Sequence, residues 1–496
     1  MVKKGEQIMP VRPYDQNQQF LLPPSLNEWV SKDTQARIFS DVVNQLDISG
    51  FQEIKEEGRP RFDTRMMLKI LIWGYANGVR ASRKIAKRVQ TDVEFMWLAG
   101  LEKPDFRTIN LFRKTNLEKL NYLFSQVILL AKGLKLVRLG LIALDGTKVR
   151  ANVSVESFKS IKNWEDELNE AREKVKKILS EAEASDLEDD QKYGENLRGD
   201  EIPKELENDK ERIKQIEELI KQQTGRKIDK SQKASSTDPE AKFMHHKNGS
   251  MPAYNCELAV TKEQIIVHSD VTSEPMDTNQ LKPALDAVHD NCGKDPKRVL
   301  ADAGFRSGAN FRELEDRKID GYIPESSEEN IGQDLKPGTD LYAKDEFQYD
   351  EENNCYTCPA GEILTPKKRS HLHTKYSDKW ETTYGTEKVI CLRCNRRTKC
   401  TKSKSRSIRR GEFEAERLRM LQKLKTDKGR KFYRKRKTIV EPVIGQIKVV
   451  GNFIRFMLRG LQGAKIEWKW ATIAHNLLKI TRKIVSGERK LTTATA

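Results

Sequence analysis

From about residue 33 to 132, apolar positions recur at the three- and four-residue spacing of amphipathic helices. Asp33 is placed to cap a first helix carrying Ile38, Val42, Val43 and Leu46. A second, from Phe62 to Tyr75, carries Met67, Leu68, Leu71 and Ile72 and ends at Gly78. Short helices follow at Ser82–Val89 and Val93–Leu98, and Asp105 or Thr108 caps another running through Leu111, Phe112 and Leu117. At Val137 the texture changes: Leu139 to Leu144 is an apolar run ending in Asp145-Gly146, the pattern of a buried strand followed by a turn. Residues 154–235 are highly charged. Trp164, Leu168, Val175 and Ile178 form one helical stripe there, Leu206, Ile213, Ile216 and Ile220 another, with Gly194, Gly199 and Pro203 between them. That is the pattern of an antiparallel helical hairpin. Strands resume at Ala253–Val260, Ile265–Val271 and Arg298–Asp302, with helices at Gln280–His289 and Asn310–Arg317 and a short apolar piece at Gly321–Pro324. Helices near 438–450 and 466–484 follow.

This order predicts an α/β chain, a mixed sheet with helices packed on it. The expected plan has an extended lead-in (1–32), a helical N-terminal domain (33–135), a sheet domain (136–325 and 430–485) and a tail (486–496). The sheet domain is interrupted by the helical hairpin (154–235) and by a Cys-rich insertion (340–410). At 496 residues the chain has room for several cores.

With 33% charged and 37% hydrophobic residues, the chain reads as a soluble globular protein. No apolar run approaches the roughly 20 residues that span a bilayer. Met1 leads into polar sequence without an apolar signal core, so a cytoplasmic, nucleoid-associated protein with no membrane partner is expected. The formal net charge of +17 is unevenly spread: residues 391–440 hold 20 Lys and Arg against 4 acidic residues, an excess of 16. One stretch therefore supplies nearly the whole imbalance. It reads either as a solvated linker or as a phosphate-binding surface, and Phe432, Tyr433 and the apolar helix that follows favour the second. On the N-terminal helices, Arg80, Arg83, Lys84, Lys87 and Arg88 suit a helix-turn-helix reader of DNA or an ordinary basic face.

Two apolar strands each deliver an aspartate at the carboxyl end, in Leu144-Asp145-Gly146 and in Leu300-Ala301-Asp302-Ala303-Gly304. On neighbouring strands their carboxylates converge at one sheet edge, where ligands of α/β folds bind. Paired carboxylates there suit Mg²⁺, a hard cation that prefers oxygen. Each aspartate alone has a plainer reading, Asp145 as a hairpin-turn residue and Asp302 as a helix cap. Cys256 and Cys292 lie singly in apolar or helical sequence and read as core thiols. Cys355-x-x-Cys358 and Cys391-x-x-Cys394 have the spacing of paired zinc knuckles, with Cys400 a substitute ligand. His245, His246 and His268 have no metal-ligand spacing.

Leu144-Asp-Gly-Thr-Lys-Val-Arg-Ala-Asn152, Ala301-Asp-Ala-Gly-Phe-Arg306 and Val440-Glu-Pro-Val-Ile-Gly-Gln-Ile-Lys448 resemble, in that order, the three catalytic blocks of bacterial insertion-sequence DDE transposases. The Phe62–Phe112 region and the Cys-rich insertion resemble the branch of the family that has a helical N-terminal domain. The resemblance covers roughly residues 10–480. It implies a ribonuclease-H-like catalytic fold with a zinc-ribbon-like insertion, acting on double-stranded DNA as a homodimer. It also implies Mg²⁺ (or Mn²⁺) held by Asp145, Asp302 and Glu441, with structural Zn²⁺ on the cysteines. Glu441 equally fits a capping box, since Thr438 precedes it and Pro442 follows. Lys448 lies two α-helical turns further on and is expected to contact phosphate. Relatives place a Tyr and an Arg before the glutamate. Here Arg434 and Lys437 occupy those places, with Lys437 expected on DNA, and Tyr433 and Arg436 sit one residue early. A non-catalytic zinc-containing regulator and an endonuclease without strand transfer are the rival readings.

Overall fold

The computed structural model describes residues 25–51, 61–114, 117–193, 204–223, 233–246, 249–325, 341–374 and 377–490. Most of the lead-in, the glycines and proline between the two hairpin stripes, residue 340 and the end of the tail lie outside them.

The helical region comprises α1 (Gln35–Asn44), α2 (Thr64–Ala76), α3 (Ser82–Thr91), α4 (Val93–Leu98), α5 (Phe106–Arg113) and α6 (Leu117–Gly133). Thr34 rather than Asp33 caps α1, accepting from the Ala36 amide. Asp105 caps α5 by accepting from the Arg107 and Thr108 amides. The run expected to continue from Leu111 through Leu117 is two helices, with Lys114 closing the first.

The sheet begins with β1 (Ile142–Arg150), and a small ladder of β2 (Phe158–Ser160) and β3 (Lys233–Ser235) brackets the charged insertion, α7 (Ile161–Tyr193) and α8 (Lys204–Gln223). Lys174 pairs with Asp209 at 2.7 Å and Arg172 with Glu217 at 2.6 Å, so α7 and α8 run antiparallel. Their seam buries Ile161, Trp164, Leu168, Ile216 and Leu219, in keeping with the expected hairpin. Then come β4 (Lys242–His246), β5 (Gly249–Thr261), β6 (Ile266–Thr272), α9 (Leu281–Cys292), β7 (Arg298–Leu300), α10 (Gly308–Asp316) and β8 (Asp320–Tyr322). The strand order is β4-β5-β1-β7-β8, with β6 also on β5. β1 runs antiparallel to β5 and parallel to β7, and β7 runs parallel to β8. This is a mixed α/β architecture.

One expectation fails at the sheet centre. β1 does not turn at Asp145-Gly146 but runs straight through to Arg150, with Asp145 opposite Leu258 and Gly146 opposite Glu257. Pairing along the length of β5 outweighs the local turn preference.

The cysteine-bearing segment folds as a second sheet, β9 (Gln348–Asp350), β10 (Cys355–Thr357), β11 (Ile363–Thr374), β12 (Ser377–Gly385) and β13 (Ser407–Gly411), with α11 (Lys388–Arg393) between the last two strands. Phe347, Tyr356, Leu364, Tyr384 and Ile408 give it a core of its own. Then follow α12 (Glu414–Lys425), α13 (Asp427–Tyr433), α14 (Lys435–Ile439), α15 (Glu441–Gly445), a π-helical turn at Gln446–Val450 and α16 (Gly460–Val485). α16 ties the molecule together. Trp468, Trp470, Ile473 and Leu477 are buried in a core shared by the N-terminal helices and the sheet, and the Trp470 indole N–H donates to the Arg113 carbonyl at 3.0 Å. Cys256 and Cys292 are buried in that same core.

Candidate active site

The parallel pairing sets Ala143 level with Leu300. Continuing that register two residues along both chains brings Asp145, within β1, level with Asp302, just beyond the end of β7. Asp302 also caps the turn Ala303–Phe305, accepting from the Gly304 amide at 2.8 Å. The plainer reading of that residue is therefore correct as far as it goes, and it leaves the second carboxylate oxygen for other work. Burial pushes the Asp145 carboxyl up to about 7; Arg436 opposes the shift, and Asp302 and Asp277 add to it. Burial also raises Asp302, with Asp277 adding to the rise and Arg436 opposing it. The site is thus a desolvated cluster of acids.

Arg436 is the cation that sits among them. One guanidinium nitrogen lies 3.0 Å from Asp145 Oδ2 and another 3.7 Å from Glu441 Oε1. Glu441, half exposed at the start of α15, is thus one guanidinium away from Asp145. Its expected capping box is not formed: Val440, not Thr438, precedes the helix, and no side chain caps it. Among the described residues, no three or more His, Cys, Asp or Glu side chains are gathered closely enough to hold a metal ion. The two aspartates and the glutamate share a neighbourhood with Arg436 between them, not a closed coordination shell.

Lys448 departs from the expected helical face. The backbone widens into the π turn after Gly445, and the Lys448 ammonium donates to the Lys148 carbonyl on β1 at 3.0 Å. Burial lowers its proton affinity, while nearby Cys256 and Asp145 support it. It lies beside the acids, though not two α-turns along from Glu441. π turns of this kind recur at functional sites.

Residues 357–481 match the family of transposase DDE domains, a span that contains Glu441 and Lys448. Residues 24–115 match a second family, a transposase domain (DUF772), which takes in Arg80, Arg83 and Lys84. The chain belongs to the insertion-sequence DDE transposases. No curated protein and no solved structure matches it.

Several of this transposase's expected site residues land elsewhere. Arg80 is not on a DNA-facing surface: it is buried, donates to the carbonyls of Asn452 at 3.1 Å and Arg455 at 2.8 Å, and stacks over Phe453. It staples the helical region to the segment before α16. Arg83, Lys84, Lys87 and Arg88 are exposed on α3, and Lys437 is exposed on α14. The basic stretch is not one open surface. Arg419 pairs with Glu315 at 2.7 Å, Lys423 with Asp320 at 2.9 Å, and Arg417 with Glu325, fastening α12 to the sheet domain. Phe432 stacks on Tyr322 and Tyr433 is fully buried, so neither aromatic faces a partner. Of the five clustered cysteines, Cys358, Cys391, Cys394 and Cys400 line one small cavity of about 30 Å³, whereas Cys355 does not. Burial, with those three thiols adding to it and Arg406 opposing, raises the Cys400 thiol. His268 is buried in β6, and His245 meets the Ser250 hydroxyl at 2.9 Å.

Two members of the site were missed in the sequence, Arg436 and Asp277. Asp277 precedes α9 with its carboxylate against Gly146 and Gly304. An added Cβ at Gly146 would lie 2.7 Å from Asp277 Oδ1 and 3.0 Å from Asn255 Oδ1. Glycine is needed there for close approach rather than for a turn. Gly146→Ala is expected to lower stability by about 1–3 kcal/mol through overpacking. Urea unfolding measures it, and an unchanged midpoint would contradict the packing argument. A carboxylate pressed on two glycines that each follow an aspartate is a signal readable from Asp145-Gly146 and Asp302-Ala303-Gly304 only once β6 and α9 are placed.

Proposed function

We propose that this transposase cleaves and joins the ends of its own insertion sequence at a site formed by Asp145, Asp302 and Glu441. The observation that carries the reading is that Asp145, within β1, and Asp302, just past the end of the parallel strand β7, act on each other's neighbourhood, both desolvated and both of raised proton affinity. The strand arrangement supports a ribonuclease-H-like catalytic domain: three antiparallel strands (β6-β5-β1) followed by two parallel ones (β7-β8) on the far side of β1.

The residues fit a divalent cation. Oxygen donors on a buried acidic pair are the chemistry of Mg²⁺ or Mn²⁺ sites, and the Arg436 guanidinium marks where a cation already sits against Asp145 and Glu441. Two such ions supply charge stabilisation to attacking and leaving oxygens in phosphodiester displacement. Asp145, Asp302 and Glu441 would hold them, with Arg436 giving up its place between Asp145 and Glu441. In the first step water attacks phosphorus and the 3′-oxygen leaves, giving a free 3′-hydroxyl. In the second that hydroxyl attacks a phosphodiester of the target and expels the target's own 3′-oxygen. Lys448 and Lys148 hold phosphate in line, where positioning contributes much of the rate.

Recognition of the ends falls to the N-terminal helices. Arg83, Phe106, Arg107, Leu111 and Lys114 line an open groove of about 620 Å³, and the Arg83 guanidinium stacks 4.9 Å above Phe106. Exposed cations beside an apolar floor suit duplex DNA. A homodimer brings the two ends together. Cys358, Cys391, Cys394 and Cys400, four soft donors lining one cavity, would hold a structural zinc once drawn together around it.

A supercoiled plasmid carrying the element's ends, incubated with the protein and Mg²⁺, tests the reading. End-specific nicks and joined products are expected. Cuts without joining indicate a plain nuclease, and a mobility shift alone indicates a regulator; either result overturns it.

A further inference from the structure

Resting on that reading, we propose that Asp277 is a positioning residue of the acidic site, which strengthens the hold of Asp145 and Asp302 on a divalent cation and restrains Lys148. Its loop is fastened to the Asp302 segment. The Thr278 hydroxyl donates to the Gly304 carbonyl at 3.2 Å, and the Asn310 amide donates to the Thr278 carbonyl at 2.7 Å. A Cβ built on Gly304 would lie 2.9 Å from both Asp277 Oδ2 and Asp302 Oδ1, so those two oxygens are at most 5.8 Å apart. The other oxygen, Oδ1, leans on Gly146, the neighbour of Asp145, accepts from the Asn255 amide and lies 3.4 Å from the Lys148 ammonium. Asp277 therefore reaches the neighbours of both aspartates at once.

A second observation concerns the neutral neighbour of Asp277. Asn255 is completely buried, and its Oδ1 faces Gly146 without a hydrogen-bond donor. A buried acceptor left without a donor is costly, and a nearby cation relieves it. Because both Asp277 oxygens rest against glycine backbone, the residue stands behind the pair rather than closing on it. Outer carboxylates of this kind change metal affinity by about 10–100-fold when removed.

The test uses the full-length chain and Mn²⁺ as probe, with binding read by electron paramagnetic resonance in the absence of DNA. Asp277→Asn is expected to weaken Mn²⁺ binding about tenfold or more and to raise by a similar factor the Mg²⁺ concentration for half-maximal cleavage. Cleavage recovers at saturating metal, and binding of end DNA in metal-free buffer is unchanged. Unaltered Mn²⁺ affinity and metal requirement overturn the proposal. Lys148→Met, which removes the cation that Asp277 restrains, is expected to tighten Mn²⁺ binding. Should Asp277→Asn not fold, unchanged affinity in Lys148→Met overturns it equally. Asp145→Asn separates the two levels of the argument. If that variant keeps full Mn²⁺ binding, the reading of the acidic site fails. If it loses binding while Asp277→Asn behaves as the parent, only the role of Asp277 fails.

Discussion

Asp145→Asn and Asp302→Asn are each expected to reduce strand cleavage and joining by about a thousandfold or more while leaving binding of end DNA intact. On the proposed mechanism each carboxylate would help hold the metal, so its loss would remove several kcal/mol of charge stabilisation, and each ~1.4 kcal/mol is a factor of ten in rate. The substitution keeps the shape of the side chain. At Asp145 the amide oxygen still accepts from Arg436, which lies 3.0 Å away in the parent, so the fold should survive. At Asp302 the amide oxygen still caps the Gly304 N–H. Plasmid nicking assays and gel-shift titrations on the same preparations check the two halves. A variant that still cuts removes that residue from the site.

The second large effect is expected in the cysteine-bearing sheet. If the proposed zinc site forms, Cys358→Ser, Cys391→Ser, Cys394→Ser and Cys400→Ser should each lower zinc content and loosen the end of the sheet beside the cavity they line, whereas Cys355→Ser should retain the metal. A structural zinc site contributes roughly 10–16 kcal/mol of folding free energy in small domains, so loss of one thiolate is a severe defect. The aromatic core of Phe347, Tyr356 and Tyr384 holds part of the sheet without it. Unfolding should therefore be local, seen as faster proteolysis around 386–406 with the rest of the chain protected. Zinc content by mass spectrometry measures the first part. Stoichiometric metal in all four variants, or its loss in Cys355→Ser, would contradict the assignment.

Much of the helical N-terminal region, the α7–α8 hairpin and the strands around Asp145 and Asp302 could be read from the residues, because each has a strong apolar period against a charged background. The five-strand sheet around the cysteines could not. β11 carries Lys367, Lys368, Arg369, His371 and His373, and α12 carries Arg417, Arg419, Lys423 and Lys425, a composition that reads as open basic surface. The carboxylates that neutralise several of these cations, Glu315, Asp320 and Glu325, lie about a hundred residues away and cannot be matched to them by local pattern. Arg80 was misjudged for a related reason: its partners are backbone carbonyls at 452 and 455, which no side-chain pattern reveals. Of the candidate site, Asp145 and Asp302 were visible because each follows a short apolar run, and Glu441 because of its sequence block. Arg436 was hidden by the helix break at Val440, which turns a residue that seems one place early onto the acids. Asp277 sits in a polar loop with no local mark.

Crystals of the protein with end DNA, soaked in Mn²⁺ and measured at the manganese absorption edge, test the central claim most directly. Anomalous density touching both Asp145 and Asp302, with Glu441 drawn in and the Arg436 guanidinium displaced from between them, is the predicted result. Arg436 still seated on Asp145, with no manganese at the two aspartates, would contradict it.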